Sequence, residues 1–397
     1  GPRFDLPIAL GILHRTGQID LPEKVQEKIF VGELGFTGEL RGITGILPTS
    51  SAAAKSGYKD IYVPAGNAAE AALIPNIEVF PVETLKQLCD HLSGIRPMEP
   101  FGENVLKRTE LFNAFEIDMT HIKGNQHAKR ALEIAAAGGH NILMSGAPGS
   151  GKTMLAKSLA TILPNLELEE ALEITEVHSI AGLTNEKVSL IKDRPFRTVH
   201  HTASGIAIVG GGNPPRPGEI SLAHRGVLFL DEFAEFPQKT LEVLRQPLED
   251  GRITISRASG TCVFPAQLML VAAMNPCPCG FYGDGEKECT CAPFHIQRYQ
   301  NKISGPLLDR IDLHIDVPRI SFEKLSSSET GEPSKDIRER VQKAREKQIQ
   351  RFKKENITCN AEMSSALAKK YCSIGEDSKQ LLKSAVEQMN LSGRAYY

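Results

Sequence analysis

The stretch "HNILMSGAPGSGKTMLAKSLA" constrains this chain more than any other. An apolar run, Ile142 to Met144, feeds a glycine-rich turn, and a helical pattern opens at Lys152, giving the spacing Gly146-x4-Gly151-Lys152-Thr153. Glycines let successive backbone N–H groups converge on phosphate oxygens, and the helix start adds the positive end of its dipole. Gly146, Pro148, Gly149, Ser150 and Gly151 would form that cradle. Lys152 would reach the outer phosphates and Thr153 would ligate Mg2+. The chain is expected to bind a nucleoside triphosphate.

A second apolar strand, "GVLFLDE", ends in Asp231 and Glu232. A carboxylate at the end of a strand beside the phosphate loop can hold the Mg2+ shell, so Asp231 is the expected partner of Thr153 there. Its neighbour Glu232 can take a proton from water. The Asp-Glu pair argues for hydrolysis rather than binding alone. A third strand, "LMLVAAMN", presents Asn275 at its end, placed to orient the attacking water or sense the γ-phosphate.

The 397 residues separate into three regions by pattern. Residues 1–93 mix signals: "FDLPIALGIL" reads as a buried helix, "KIFVGEL", "DIYVPA" and "IEVFPV" as strands, and "GELGFTGELRGITGILP" as strands joined by turns. A Pro- and Gly-broken linker covers 94–114. From 115 to 320 apolar strands alternate with amphipathic helices, the pattern of a parallel sheet covered by helices. Residues 321–397 are helical, and their charges read as a solvated face. No apolar run approaches the roughly 18 residues of a membrane span, and no signal-peptide pattern is seen. A cytoplasmic protein without a membrane partner is expected. Lys plus Arg is 46 against 48 Asp plus Glu, so any nucleic-acid contact must come from a local basic surface.

Four of the eight cysteines fall within "NPCPCGFYGDGEKECTC", as Cys277-x-Cys279, nine residues, Cys289-x-Cys291. Four thiolates can close a structural tetrahedral Zn2+ site, with His295 as a spare ligand. Structural zinc sites usually leave two or more residues between paired cysteines, so reduced thiols and a redox switch stay open as alternatives. Adjacent His200 and His201 suggest a metal pair. Neighbouring side chains on a regular element diverge, which favours a structural or inter-subunit role.

The phosphate loop, "LFLDE", the strand-terminal Asn and "GPLLDRIDL", in this order, resemble the AAA+ ATPases. The phrases "RPFRTVHHTAS", "GGGNPPRPGEISLAHRGVLFLDE", "NPCPCGFYGD" and "SGPLLDRIDLHIDVP" resemble the magnesium-chelatase-like branch and, within it, the ComM (YifB) family, over essentially the whole chain. The resemblance implies an α/β AAA+ core with a parallel sheet and a helical lid. It implies ATP and Mg2+ as ligands and self-association into a ring, usually a hexamer, with nucleotide at subunit boundaries. Carried over, Arg310 would be the arginine finger reaching a neighbour's γ-phosphate; pairing with Asp309 or Asp312 is the alternative. Arg394 would be the second sensor arginine on the lid, and Gln126 a contact near the base. The branch carries an insertion at about 197 to 224, and a hairpin in "GRITISRASGTCVFPA". In related motors such hairpins point into the pore, where Arg252 or Arg257 could touch DNA phosphates; a surface hairpin is the other reading.

Residues 1–93 resemble part of an α+β Lon-protease-like domain. "FTGELRG" is present, but no Ser stands in "GPRFDLP" and Lys55 misses the dyad position, so protease chemistry is not expected. The resemblance implies that the first half of that domain is absent and that the lid stops early. The function implied is a DNA motor, a branch-migration helicase acting on branched or single-stranded DNA. The alternative is a chelatase-type motor that remodels a partner protein.

Overall fold

The computed structural model describes residues 2–102, 117–184, 190–257, 260–320, 330–355 and 357–389. The chain divides into two compact units, Gly1–Phe112 with Leu166–Asp193, and Asn113–Asn165 with Arg194–Tyr397.

In the first unit three strands, β1 (Lys28–Phe30), β2 (Asp60–Pro64) and β3 (Glu78–Val82), make a parallel sheet in the order β1-β2-β3. Side chains alternate across a strand. Tyr62 therefore joins Leu6, Leu10, Phe80 and Leu88 on one face, while Ile61 and Val63 join Val31, Ile46 and Val79 on the other. The helix Asp5–Arg15 is buried along one stripe only: Leu6 and Leu10 are inside, whereas Ile8 and Ile12 are exposed. The expected buried helix is thus present, with its burial confined to that stripe. Of the Gly-rich stretch, only Glu33–Leu34 and Leu40–Arg41 pair as strands. The chain then turns through Gly45, at φ 74°, into the helix Ile46–Lys55.

The segment 166–193, expected within the ATPase core, packs in this first unit. Its helix Leu168–Ala181 contributes Ala171 to a cluster with Leu47, Leu73 and Leu190. The carbonyl of Ser179 accepts from the Gly45 N–H at 3.0 Å, and the Thr184 hydroxyl donates to Glu70 at 3.0 Å.

The second unit is built on a five-stranded parallel sheet. Its strands are β4 (Ile142–Ser145), β5 (Phe196–Val199), β6 (Val227–Leu230), β9 (Met269–Met274) and β10 (Leu313–Asp316), ordered β10-β4-β9-β6-β5. The chain's first strand in this sheet thus lies between its last two. Both β6 and β9 are buried at every residue, as continuous apolar runs flanked on both sides must be. Ser145 pairs with Met274 and Asp316, and Leu230 with Ala272 and Val199. The carboxyl ends of all five strands therefore form one edge, where ligands bind in open α/β sheets.

Between β6 and β9 the chain forms an antiparallel hairpin of β7 (Arg252–Arg257) and β8 (Gly260–Pro265), as the sequence leads one to expect. Ile253, Ile255 and Phe264 are buried, while Arg252 is exposed; the side chain of Arg257 lies outside the described residues. The supposed insertion from about 197 starts too early, because Phe196–Val199 is the edge strand β5. In the expected lid region, the helix Ser334–Arg351 packs on Gln126–Gly138 through Ile337 and Val341. Arg345 donates to the Ala136 and Ala137 carbonyls at 3.1 and 3.2 Å, a cation at the negative end of that helix. Arg394 lies outside the described residues. Among the described residues no helix is long and apolar enough to cross a membrane.

Candidate nucleotide site

β4 delivers the loop 146–151 to the sheet edge, and the helix Lys152–Leu159 starts directly behind it. Gly149 (φ 78°) and Gly151 (φ 93°) occupy the left-handed region, with open space where a Cβ would stand. A side chain would be strained at both places and would fill the approach to the backbone. Gly146 is held differently: a Cβ there would lie 2.2 Å from the Val317 carbonyl oxygen. The Ser150 hydroxyl is buried with no hydrogen-bond partner. An inward-turned backbone, a buried unsatisfied donor and an adjacent ammonium suit a phosphate chain.

Lys152 is 8% exposed, and its ammonium donates to the Gly146 carbonyl at 2.7 Å, the Ala147 carbonyl at 3.0 Å and Asn275 Oδ1 at 3.3 Å. Burial pushes its pKa down, and the charge of Asp231 works against that shift. The Thr153 hydroxyl donates to Asp231 Oδ2 at 2.8 Å, and Asp231 Oδ1 accepts the Glu232 N–H at 2.9 Å. One hydroxyl and one fixed carboxylate, both oxygen donors, suit Mg2+ bound with water and phosphate oxygens. Glu232 stands at φ 52°, a left-handed conformation uncommon outside glycine. Its carboxylate lies 2.7 Å from His201 Nδ1.

The sequence suggests that histidine as half of a metal pair or a structural or inter-subunit residue, and does not foresee it as the partner of Glu232. His200 and His201 leave the end of β5 in a turn, so the divergence expected on a regular strand does not apply. Their rings lie tilted against each other with centroids 4.1 Å apart, and His201 faces Glu232 because β5 lies beside β6. The order of strands is a tertiary fact that neighbouring residues do not encode.

The remaining expected residues scatter more widely. Gln126 is exposed at the start of Gln126–Gly138, where its neighbour His127 contacts the Asp316 carbonyl at 2.6 Å, at the end of β10. Arg310 is paired with Glu249, and it donates to the Pro306 carbonyl at 2.8 Å. Neither Asp309 nor Asp312, the partners suggested by sequence, is the one it takes here.

After Asn275 the cysteine loop brings Cys277, Cys279, Cys289 and Cys291 together, their sulfurs all within 4.8 Å of one another. All four are free thiols. The Cys279 thiol is lowered to about 6, first through the Phe281 N–H. His295 is exposed on the helix Pro293–Gln300 and is not one of the cluster.

A parallel α/β sheet with a phosphate loop on an inner strand, and an Asp-Glu pair on the second strand along, defines a P-loop nucleotide-binding core consistent with the AAA+ fold. Comparison with known proteins then narrows the class. Residues 118–325 match the family model of magnesium chelatase, subunit ChlI. Residues 1–67 match subunit ChlI of Mg-chelatase, and 331–397 the ChlI C-terminal model. The chain is 44% identical over 401 residues to competence protein ComM of Haemophilus influenzae, covering 100% of this chain and 77% of that protein. It is 40% identical to protein YifB of Salmonella typhimurium, covering 100% of this chain and 76% of that one. The magnesium-chelatase 67 kDa subunit of Chlorobaculum parvum is 30% identical over 40% of this chain and 23% of its own length. The chain belongs to the ComM/YifB family of magnesium-chelatase-like proteins.

Proposed function

We propose that the chain is an ATP-hydrolysing AAA+ motor that assembles into a hexameric ring and acts on branched or single-stranded DNA as a ComM-like branch-migration helicase. The single observation behind the ATPase reading is the convergence, on one sheet edge, of Lys152, the Thr153–Asp231 pair, Glu232 and Asn275. In this reading Glu232 accepts the proton of a water whose oxygen attacks the γ-phosphorus, with ADP as the leaving group. His201 holds the Glu232 carboxylate, Asn275 orients the water, and Lys152 neutralises charge on the outer phosphates. Thr153 and Asp231 would hold Mg2+, which supplies charge neutralisation when bound. Arg310 acts on a neighbour's nucleotide, which requires it to leave Glu249; Gln126 and Arg394 complete the nucleotide contacts.

DNA as the track rests on the relationship to ComM and on the hairpin with exposed Arg252. Arg257, at the other end of the same strand, is read the same way. Residues 1–93 are read as part of a Lon-protease-like domain without a catalytic dyad, and the protein as cytoplasmic. A second reading, a motor that remodels a partner protein, is favoured by the likeness to the magnesium-chelatase 67 kDa subunit. The two separate on ATPase rate measured with and without a four-way DNA across a salt series. A stimulation that falls steeply with salt supports the DNA motor. Turnover indifferent to DNA in an assembled ring moves the reading to a protein track.

A further inference from the structure

The four thiols are gathered within the span of one zinc site, their sulfurs all within 4.8 Å of one another. With Zn–S bonds of about 2.3 Å, tetrahedral sulfurs stand roughly 3.8 Å apart. Cys277 and Cys279 are 3.4 Å apart, Cys277 and Cys289 3.7 Å, and Cys279 and Cys289 3.6 Å. The Tyr282 N–H donates to Cys277 Sγ at 3.3 Å, the kind of second contact that orients a metal-bound sulfur. Gly280 (φ 85°) and Gly283 (φ 75°) turn the chain tightly enough to bring the two Cys-x-Cys pairs face to face despite their short spacing.

This loop also touches the nucleotide site. A Cβ on Gly280 would lie 2.5 Å from Pro148 Cδ and 2.7 Å from its Cγ, so the loop backbone lies directly against the phosphate loop. Arg319, just past β10, ties the two together. Its guanidinium stacks over the Phe281 ring at 5.3 Å, its Nε lies 3.2 Å from Asp284 Oδ2, and its Nη2 lies 3.5 Å from the Pro148 carbonyl oxygen. Asn275, which contacts Lys152, stands two residues before Cys277.

We propose that Cys277, Cys279, Cys289 and Cys291 hold one Zn2+, and that this ion clamps the loop against Pro148, so that metal occupancy sets nucleotide affinity. The proposal rests on the reading of residues 146–153 as a nucleotide site. The four protein sulfurs fill a tetrahedral shell, so the ion's role is to hold structure and it takes no part in the chemistry. Released from it, the loop keeps Arg319 and loses the cross-link that fixes Gly280 and Asn275.

The test uses the full chain, with zinc content by elemental analysis and nucleotide affinity by titration with mant-ADP. One zinc per chain is expected. Stripping it with a chelator should weaken mant-ADP binding by about tenfold or more, with recovery on adding Zn2+ back. The double variant Cys289→Ser/Cys291→Ser should lose both zinc and affinity. Arg319→Ala removes the tie between the loop and Pro148 without touching a sulfur or the turn, and should keep zinc while weakening mant-ADP binding. A purified chain that neither contains nor takes up zinc overturns the metal site. A zinc-free chain with undiminished affinity overturns the coupling. A zinc-loaded chain that binds no mant-ADP refutes the nucleotide reading, and this proposal falls with it.

Discussion

Replacing Lys152 by Met separates what the residue does for the fold from what it does for the ligand. Its ammonium reaches two loop carbonyls, at 2.7 and 3.0 Å, from a position only 8% exposed. Burial lowers its pKa, so the fold bears a cost for keeping the charge inside. Lys152→Met removes that cost and also the donors to the Gly146 and Ala147 carbonyls. These effects oppose each other, and stability without nucleotide should change by no more than about 1 kcal/mol. With nucleotide the balance is one-sided. Two charge-assisted hydrogen bonds to phosphate, at about 1.5 kcal/mol each, are lost, which is about 3 kcal/mol or roughly a hundredfold in affinity. At a ligand concentration a hundred times the parent Kd, the parent gains about 2.7 kcal/mol and the variant about 0.4 kcal/mol. In a thermal-shift assay with Mg·ATP this is about 5 to 10 °C for the parent unit and about 1 °C for the variant. A variant that keeps the parent's nucleotide-induced shift would refute the assignment of Lys152 to the phosphates.

Other outcomes follow from individual contacts. Arg310→Ala should abolish hydrolysis while sparing nucleotide binding. Mixing it with Lys152→Met chains should restore part of the activity, because intact phosphate loops then meet intact fingers; a mixture that stays inactive contradicts a finger acting between subunits. Glu70 is buried in the first unit, with Oε1 unpartnered, and burial raises its pKa. Between the ordinary carboxylate value and that raised one the folded state holds a proton the unfolded chain has lost, so stability falls as pH rises through the window. Glu70→Gln should therefore stabilise the chain at neutral pH, and the gain should disappear as the pH falls below the ordinary carboxylate value. Denaturant unfolding at the two pH values checks this.

Much of the nucleotide site is legible in the sequence because its parts are local. Strand, glycine turn and helix start are contiguous at 142–153, and Asp231, Glu232 and Asn275 each close an apolar run. What joins them is the strand order, which places β4 between β9 and β10 and brings Asn275 to Lys152. The same order sets His201 beside Glu232, a pairing that spacing along the chain does not contain. Helix Leu168–Ala181 reads as part of the ATPase alternation by its period alone. Its partners, Leu47 and Leu73, lie about a hundred residues upstream, and only packing reveals them. Gly280 looks like any loop glycine until the space a side chain there would need is seen to be filled by Pro148.

Phosphate release from Mg·ATP by the parent chain and by Glu232→Gln, with nucleotide binding measured on both, tests the central claim most directly. The account predicts turnover in the parent, and in the variant undiminished binding with turnover lower by about a hundredfold or more. Hydrolysis by Glu232→Gln at the parent rate would contradict the assignment of Glu232 as the base and the chemistry built around it.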